Sequence, residues 1–154
     1  MKHPSTNFSL IIPNFNGSKF ISPCLESIFS AINQSPQSKF EIIIIDNGST
    51  DNSCQLSQNL LNQHPRNNLS SKIYHLRSNH GFAFAVNYGI NRSRYDYVVL
   101  INNDLTIKPD WFKIITPIIS ANKNPKITTF FGTVLNHNGQ KFESQGFRFF
   151  PSGK

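Results

Sequence analysis

Short apolar runs alternate along the chain with stretches in which apolar residues recur every three or four positions. Four runs rich in β-branched and aromatic residues predict strands at residues 8–13, 40–46, 72–76 and 97–102. The first, second and fourth are almost continuously apolar, which is typical of parallel strands covered on both faces. We therefore expect three buried strands and a fourth, at 72–76, that is more polar.

Helical periodicity predicts a helix after each of these runs. Ser22 is expected to cap the first helix, with Pro23 in its first turn. The second helix is expected to begin at residues 51–53, with Asp51 as a capping carboxylate. The third is predicted over residues 82–91, and the fourth is opened by residues 109–110.

This order of elements predicts an α/β fold with a mainly parallel, Rossmann-like sheet flanked by helices. The pattern changes after residue 125. Residues 126–135 and 140–150 flank Asn138-Gly139, a strong turn signal, and predict a C-terminal strand and hairpin. No linker divides the chain, so residues 1–154 are interpreted as a single domain.

The charge of the chain indicates which kinds of ligand it could bind. Fifteen Lys and Arg residues against eight acids give a net charge of +7, which suits nucleic acid, anionic lipid or phosphorylated small molecules, or is a solvated basic surface. No block of consecutive basic residues is present, which weakens the nucleic-acid interpretation. The apolar runs are too short to cross a bilayer and the first residues show no signal peptide, so the cytoplasm is the default location.

The cysteines and histidines show no metal-binding spacing. Cys24 and Cys54 fall on separate predicted helices without a CxxC pair and are interpreted as small core residues, not as a disulfide or a zinc site. His75, His80 and His137 also lack ligand spacing, and a strand or loop position suffices to explain them. For His80 we expect a structural or solvent-facing role.

Polar loops follow all four predicted strands. In open α/β sheets ligands bind beyond the carboxyl ends of the strands, so these loops outline a binding edge. Among the eight acids, Asp46 and Asp104 alone stand at strand C-termini, where a turn or capping role is the alternative for each. No GxGxxG or GxxxxGK[ST] motif is present. The four loops comprise residues 13–17, 46–51, 77–81 and 102–104.

Four motifs in order, FSLIIPNFNG, FEIIIIDNGSTDNS, RSNHGFAFAVNYGI and YVVLINNDLTIKPDW, resemble family-2 glycosyltransferases with the GT-A fold, most closely the rhamnosyltransferase-like branch. The resemblance covers about residues 8–112. It implies inverting transfer of a sugar from a UDP- or dTDP-linked donor to an acceptor hydroxyl, with Mg²⁺ or Mn²⁺. It also implies a glycan or lipid-linked acceptor in cell-envelope synthesis and peripheral contact with the inner face of the membrane.

The resemblance assigns roles to particular positions. Pro13 and Phe15 match positions that line the nucleoside, with the aromatic ring against the base. Asp46 matches the carboxylate that hydrogen-bonds a pyrimidine, and Arg77 a basic position near the base and phosphates. Together they outline a nucleotide site at the edge of the sheet.

Asn102-Asn103-Asp104 falls where the family has its Asp-x-Asp element. Asp104 would be the metal-binding carboxylate, with Asn102 at the other acidic position and able to accept a hydrogen bond from a ribose hydroxyl. One carboxylate can suffice, because Mg²⁺ completes its octahedron with substrate phosphates and water. Metal affinity without nucleotide should therefore be weak.

A general base for an inverting transfer is not evident. The reaction needs a group, normally a carboxylate, to take the acceptor's proton. Glu143 is the one acid after Asp110, and it is a weak candidate because its surroundings alternate like a hairpin strand. We therefore expect the base and the acceptor-side half to lie beyond Lys154, with this chain as the donor-binding portion.

Two alternative functions are also consistent with the sequence. A non-catalytic sugar-nucleotide-binding module would bind nucleotide without moving sugar. A basic nucleic-acid binder would use Phe15, Phe82 and Phe84 as stacking platforms, with steep salt dependence and no metal requirement. We expect these aromatic residues to pack in the core instead, and no nucleic-acid partner.

Overall fold

The structure, a computed structural model, describes residues 6–125, 129–130, 132–136 and 140–144. Two compact units divide the chain, Met1–Ala121 and Asn122–Lys154. Strands and helices alternate in the first unit, which confirms the predicted α/β order. Its elements are β1 Phe8–Asn14, α1 Ile21–Asn33, β2 Phe40–Asp46, α2 Ser53–Gln63, β3 Leu69–His75, α3 Phe82–Ile90, β4 Tyr97–Leu100 and α4 Trp111–Ala121.

The four strands form one parallel sheet in the order β3-β2-β1-β4. Every residue of β1 and β2 is buried, as their continuous apolar runs predicted. On one face, Phe8, Leu10 and Ile12 pack in a cluster with residues of α1, α2 and α4. On the other face, Ile11 packs with Ala85 of α3. Helices therefore cover both faces of the sheet.

Three local predictions are corrected by the structure. β4 was expected to be buried, but Tyr97, Val98 and Leu100 are each at least 38% exposed because β4 is the end strand of this sheet. β3 begins at Leu69, three residues before the predicted start. α1 begins at Ile21 without a side-chain cap, so Ser22 is not its N-cap. The backbone turn at Gly17, whose carbonyl accepts from the N–H groups of Phe20 and Ile21, starts this helix instead.

The second unit contains a short antiparallel pair. β5 (Val134–Leu135) pairs with β6 (Phe142–Ser144), in agreement with the predicted hairpin. The Asn136 side chain accepts hydrogen bonds from the backbone N–H groups of Gln140 and Lys141. The predicted Asn138-Gly139 turn lies outside the described residues. Among the helices that the structure describes, none is long and apolar enough to span a membrane.

The strand order creates a switch point beside β1. The chain runs outward from β1 through β2 to β3, and then returns to place β4 on the opposite side of β1. The loops that follow β1 and β4 lie side by side at the carboxyl ends of the strands, and a crevice opens beside them. Such crevices are where open α/β sheets bind ligands.

Candidate active site: a cleft at the switch point

An open cleft of about 260 Å³ occupies this crevice. We call it the edge cleft. It brings together five of the seven residues that the sequence assigned to a nucleotide and metal site; Asp46 and Arg77 are not among its lining residues. The lining residues are Pro13, Asn14, Phe15, Asn47, Asn79, Phe82, Asn102, Asn103 and Asp104.

The buried amide of Asn14 joins the two sides of the switch point. Its Nδ2 donates to Ser53 Oγ at 2.9 Å and to Ser49 Oγ at 3.2 Å. Its Oδ1 accepts from Asn103 Nδ2 at 2.8 Å. A Cβ at Gly17 would lie 2.2 Å from the Asn103 amide nitrogen, so only glycine leaves room for this contact. Asn103 is thus held in place beside Asp104.

A second amide pair forms the opposite wall of the cleft. Asn47 is 4% exposed, and its Nδ2 donates to Asn79 Oδ1 at 2.9 Å. Asn47 Oδ1 accepts from the His80 N–H, and Asn79 Oδ1 accepts from the Gly81 N–H. These contacts tie the loop after β2 to the loop that begins α3. The cleft therefore has stiff walls although loops form most of it.

Two aromatic rings lie open at the cleft. Phe15 is 46% and Phe82 55% exposed, and Phe84 nearby is 46% exposed with its ring 4.8 Å from that of His80. The expectation that these three residues pack in the core is wrong. Phe15 lies in the loop after β1, and Phe82 and Phe84 lie in the first turn of α3 on its exposed side, so none of them reaches the core. Phe15 and Phe82 offer flat apolar surfaces to a ligand in the cleft.

The carboxylate of Asp104 is not paired with another side chain of the described residues. It is exposed, and within the described part of the chain it makes no hydrogen bond or ion pair. Burial, and secondarily the negative charge of Asp104, raise the pKa of the Cys24 thiol to about 12. A free carboxylate next to amide oxygens is the oxygen-rich donor set that Mg²⁺ and Mn²⁺ bind. The residues present therefore fit a divalent cation.

Asp46 lies at the end of β2, 5% exposed. Its Oδ1 accepts from the Ser49 N–H at 3.1 Å, and its Oδ2 lies 3.3 Å from His75 Nδ1. Burial raises its pKa, but hydrogen bonds from Ser49, Cys54 and His75 outweigh it and hold the pKa below the ordinary value. Burial and the neighbouring Asp46 carboxylate raise the pKa of the Cys54 thiol to about 12. Asp46 is thus an ionised group that organises its loop.

Asp51 fastens the loop after β2 to the loop after β1. Its Oδ1 accepts from the Ser53 N–H at 3.0 Å, and its Oδ2 accepts from the Ser18 N–H at 2.9 Å. Burial opposes ionisation, but a hydrogen bond from the Ser53 hydroxyl, together with these backbone bonds, lowers the pKa of Asp51 to about 2. The predicted capping role is confirmed in substance, since Asp51 satisfies the first N–H of α2, from the position just before Asn52.

The remaining predicted residues lie apart from the cleft lining. Arg77 is exposed on the loop after β3, two residues before Asn79, and its nucleotide role stays a prediction. Glu143 is exposed on β6 in the second unit, and its role as a base stays a prediction as well. Asn14, Asn47 and Asn79 were not singled out from sequence, because asparagine at the end of a strand is ordinary turn chemistry.

The fold and the cleft define an α/β ligand-binding domain with its site at a sheet switch point. Comparison with known proteins identifies the family. The model of glycosyl transferase family 2 matches residues 9–146, most of the 154 residues, and the chain belongs to that family.

Individual relatives agree with this assignment. The chain is 32% identical over 102 residues to an uncharacterized glycosyltransferase of Haemophilus influenzae, covering 66% of this chain and 38% of that protein. It is 28% identical over 107 residues to the poly(ribitol-phosphate) beta-N-acetylglucosaminyltransferase TarS of Staphylococcus aureus, covering 69% of this chain and 18% of TarS. The chain thus spans well under half the length of these relatives.

Solved structures share the fold. TarS 1-349 in complex with UDP-GlcNAc superposes with a TM-score of 0.63 at 25% identity, over 74% of this chain and 31% of that one. The mannosyltransferase PcManGT from Pyrobaculum calidifontis, in complex with GDP-Man and Mn²⁺, gives a TM-score of 0.65 at 20% identity, over 79% and 34%. The GT-A fold implied by the sequence motifs is therefore confirmed.

Proposed function

We propose that the edge cleft binds the nucleotide part of a nucleotide-diphosphate sugar, as the donor site of an inverting glycosyltransferase. The observation that carries the proposal is the cleft itself, where exposed aromatic rings and a free carboxylate meet at the switch point of the sheet. TarS, which shares the fold at 25% identity, binds UDP-GlcNAc, which supports a donor of the same chemical class.

The chain's own side chains can recognise a nucleotide in parts. Phe15 and Phe82 provide surfaces against which a base can stack. Asn102, exposed beside them, offers an amide to a ribose hydroxyl. We assign the diphosphate end of the cleft to Asp104, where Asn103 is held by Asn14. Arg77, in its exposed loop, is proposed to add positive charge toward the phosphates.

Asp104 would hold a divalent cation together with the diphosphate. When bound, such a cation stabilises the negative charge that develops on the leaving diphosphate. A cation is also needed for electrostatic reasons, because an unpaired carboxylate would otherwise repel the phosphates. The Mn²⁺ found with GDP-Man in PcManGT is consistent with this proposal. The acceptor's proton would go to a carboxylate base, for which Glu143 remains the weak candidate within this sequence.

The sequence motifs also suggest which donor nucleotide and which class of acceptor the enzyme uses. We propose a UDP- or dTDP-linked donor, the rhamnosyltransferase-like branch, and a glycan or lipid-linked acceptor of the cell envelope, met at the inner face of the membrane. The poly(ribitol-phosphate) acceptor named for TarS supports a polymeric acceptor. Binding measurements with UDP, dTDP and GDP, and transfer assays with their sugar conjugates, would separate these donors.

The central test is metal-dependent nucleotide binding. We expect UDP or dTDP to stabilise the protein against heat in the presence of Mn²⁺, with an affinity that falls at least about tenfold in Asp104→Ala, since removing the carboxylate leaves the cation without its protein ligand. Asp96→Asn is the matched control, because Asp96 is an exposed acid outside the cleft lining. Equal Mn²⁺-dependent stabilisation of wild type and Asp104→Ala would refute the proposal.

The exposed rings also favour the nucleic-acid alternative, because Phe15, Phe82 and Phe84 stand open as stacking platforms would. Asp104 argues against it, since a carboxylate in the same cleft repels a phosphate backbone when no metal is bound. We expect single-stranded oligonucleotides not to compete with UDP or dTDP at physiological salt. Competition that weakens steeply with added salt would favour the alternative.

A further inference from the structure

Asp46, Cys54 and His75 form a second cluster of potential ligands, outside the lining of the edge cleft. One carboxylate oxygen, one sulfur and one ring nitrogen all lie within 4.8 Å of one another. The three residues come from the end of β2, the first turn of α2 and the end of β3. Sequence spacing gave no sign of this arrangement, because the fold alone brings these positions together.

We propose that Asp46, Cys54 and His75 bind a borderline-soft divalent ion of the zinc type, at a site separate from Asp104. The donor set decides the class of metal. Thiolate and imidazole ligands suit Zn²⁺ and its neighbours in the transition series, whereas Mg²⁺ and Mn²⁺ prefer carboxylate, carbonyl and water oxygens. The two sites of this chain would thus differ in metal preference.

The geometry of the cluster fits a tetrahedral ion. His75 Nδ1 lies 3.3 Å from Asp46 Oδ2, beyond the 2.7 to 2.9 Å of a charge-assisted hydrogen bond. Bonds of about 2.1 Å from zinc to nitrogen and oxygen, at a tetrahedral angle, place those two atoms about 3.4 Å apart. The observed separation therefore already matches one edge of the coordination tetrahedron.

Rigid backbone holds the cluster. Asp46 and His75 are direct partners in the register of the parallel strands β2 and β3, which fixes the spacing of their Cα atoms. The Ser49 N–H donates a hydrogen bond to Asp46 Oδ1, and Oδ2 faces His75. The carboxylate is thus oriented by a second contact, as metal-binding carboxylates commonly are. The Cys54 sulfur lies within 4.8 Å of both this carboxylate and the His75 ring nitrogen, so the third donor is close to the other two.

The cluster is accessible from solvent on one side. The His75 side chain is 63% exposed, whereas that of Asp46 is 7% exposed. Cys54 is intermediate between them. An ion can therefore enter from the His75 side without unfolding the sheet. Three protein ligands with an open fourth position describe a zinc site that keeps a water or exchangeable ligand.

Occupancy of this site would affect the nucleotide, a consequence that rests on the proposed function. By the sequence motifs, Asp46 matches the carboxylate that hydrogen-bonds the pyrimidine base, and a carboxylate oxygen that ligates zinc has less negative charge to offer as an acceptor. Zinc at the cluster is therefore expected to weaken UDP or dTDP binding several-fold. The metal site itself stands on geometry and does not need the nucleotide assignment.

Cobalt titration of the full chain without nucleotide tests the site. Co²⁺ replaces Zn²⁺ in such sites and gives an intense near-ultraviolet thiolate-to-metal band when cysteine is a ligand. We expect this band in wild type, its loss in Cys54→Ser, and a binding constant at least about tenfold weaker in His75→Gln. Cys24→Ala and His80→Gln are the matched controls and should retain the band. Addition of Zn²⁺ should remove it by displacement.

Two outcomes would overturn the proposal: no thiolate band at millimolar Co²⁺, or a band that survives in Cys54→Ser and disappears in Cys24→Ala, which would place the ion beside Asp104. Zinc protection of wild-type Cys54 against an alkylating reagent, mapped by mass spectrometry, provides a second measurement that needs no variant. Alkylation of Cys54 at the same rate with and without zinc would count against the site.

The nucleotide role of Asp46 is tested separately. If the cobalt band is present but zinc does not weaken nucleotide binding, the nucleotide assignment of Asp46 is contradicted and the metal site is unaffected.

Discussion

Three carboxylates at the same edge of the sheet have different surroundings, and their surroundings separate their roles. Asp46 is buried with its oxygens engaged by Ser49 and His75. Asp51 is half-buried and accepts from the backbone N–H groups of Ser18, in the loop after β1, and of Ser53, at the start of α2. Asp104 is exposed, and the described residues offer it no hydrogen-bond donor. The first two stabilise loops by being ionised, whereas Asp104 is available to a ligand.

Acid should therefore destabilise the protein through Asp51 and Asp46. Their pKa values in the folded protein lie below the ordinary value, that of Asp51 at about 2. A lowered folded pKa contributes stability that is fully present above the unfolded pKa of about 4 and is lost as the pH falls toward 2. We expect urea midpoints to drop over this window, and Asp51→Asn to lower stability near pH 7 by about 1 to 2 kcal/mol.

The control for this prediction is Asp96→Asn, an exposed acid before β4, which should leave both stability and its pH dependence unchanged. In Asp51→Asn the decline between pH 4 and pH 2 should be shallower, because one of the groups that takes up a proton on unfolding is gone. An Asp51→Asn protein with the wild-type midpoint at pH 7 and the wild-type slope would show that the two loops do not depend on this carboxylate.

At the scale of elements, α3 lies against the sheet more closely than a side chain would permit. A Cβ added at Gly89 would stand 2.6 Å from Ile11 Cγ2 on β1 and 3.4 Å from Ile45 Cγ1 on β2. Ile11 is β-branched, so its Cγ2 is fixed close to the backbone and cannot swing aside. Glycine here sets the distance between α3 and the sheet, and α3 in turn carries Phe82 at the cleft.

Gly89→Ala should consequently destabilise the fold although alanine favours helices. Overpacking costs about 1 to 3 kcal/mol, against a gain of about 1 kcal/mol in helix propensity, and we expect a net loss of up to about 2 kcal/mol by chemical denaturation. Asn87→Ala, on the exposed side of the same helix, isolates the propensity gain and should be neutral or slightly stabilising. Equal effects of the two substitutions would mean that the contact with Ile11 relaxes freely.

The elements predicted best from sequence are those whose pattern reflects packing directly. β1 and β2 read as continuous apolar runs because both of their faces are covered. β3 begins earlier than predicted because Ser70 and Ser71, which are exposed, carry no apolar signal. The amides of Asn14 and Asn47 could not be distinguished from turn residues. Their contacts depend on the strand order, which local patterns do not determine.

The second metal cluster and the exposed aromatic rings could not be predicted from local sequence patterns either, because both depend on how distant segments pack together. Asp46 and His75 meet because they are register partners on β2 and β3, and Cys54 joins them from the first turn of α2. Phe15 and Phe82 look like core residues by composition, yet each follows a point where the chain leaves the sheet. Sequence thus identified the edge of the sheet that carries the site, and five of its lining residues, while the walls of the cleft required the fold.

At the scale of the whole molecule, the core clusters and the edge cleft lie in the first of the two compact units. Both core clusters consist of residues from the unit Met1–Ala121. All lining residues of the edge cleft lie between Pro13 and Asp104 in the same unit. The second unit contributes the antiparallel pair of β5 and β6 and contains Glu143. Folding of the sheet and nucleotide binding are therefore expected to depend on the first unit.

A chain that ends at Ala121 should fold cooperatively and retain the nucleotide site. Since it keeps the parallel sheet and every cleft residue, we expect a single unfolding transition and an affinity for UDP or dTDP with Mn²⁺ within about threefold of the full chain, a difference of under about 1 kcal/mol. Calorimetric titration of both chains measures this affinity.

The same shortened chain with Asp104→Ala is the control and should lose the metal-dependent part of binding. A shortened chain that folds but does not bind would show that residues after Ala121 contribute to nucleotide recognition, whereas one that does not fold would show that the two core clusters are insufficient without them.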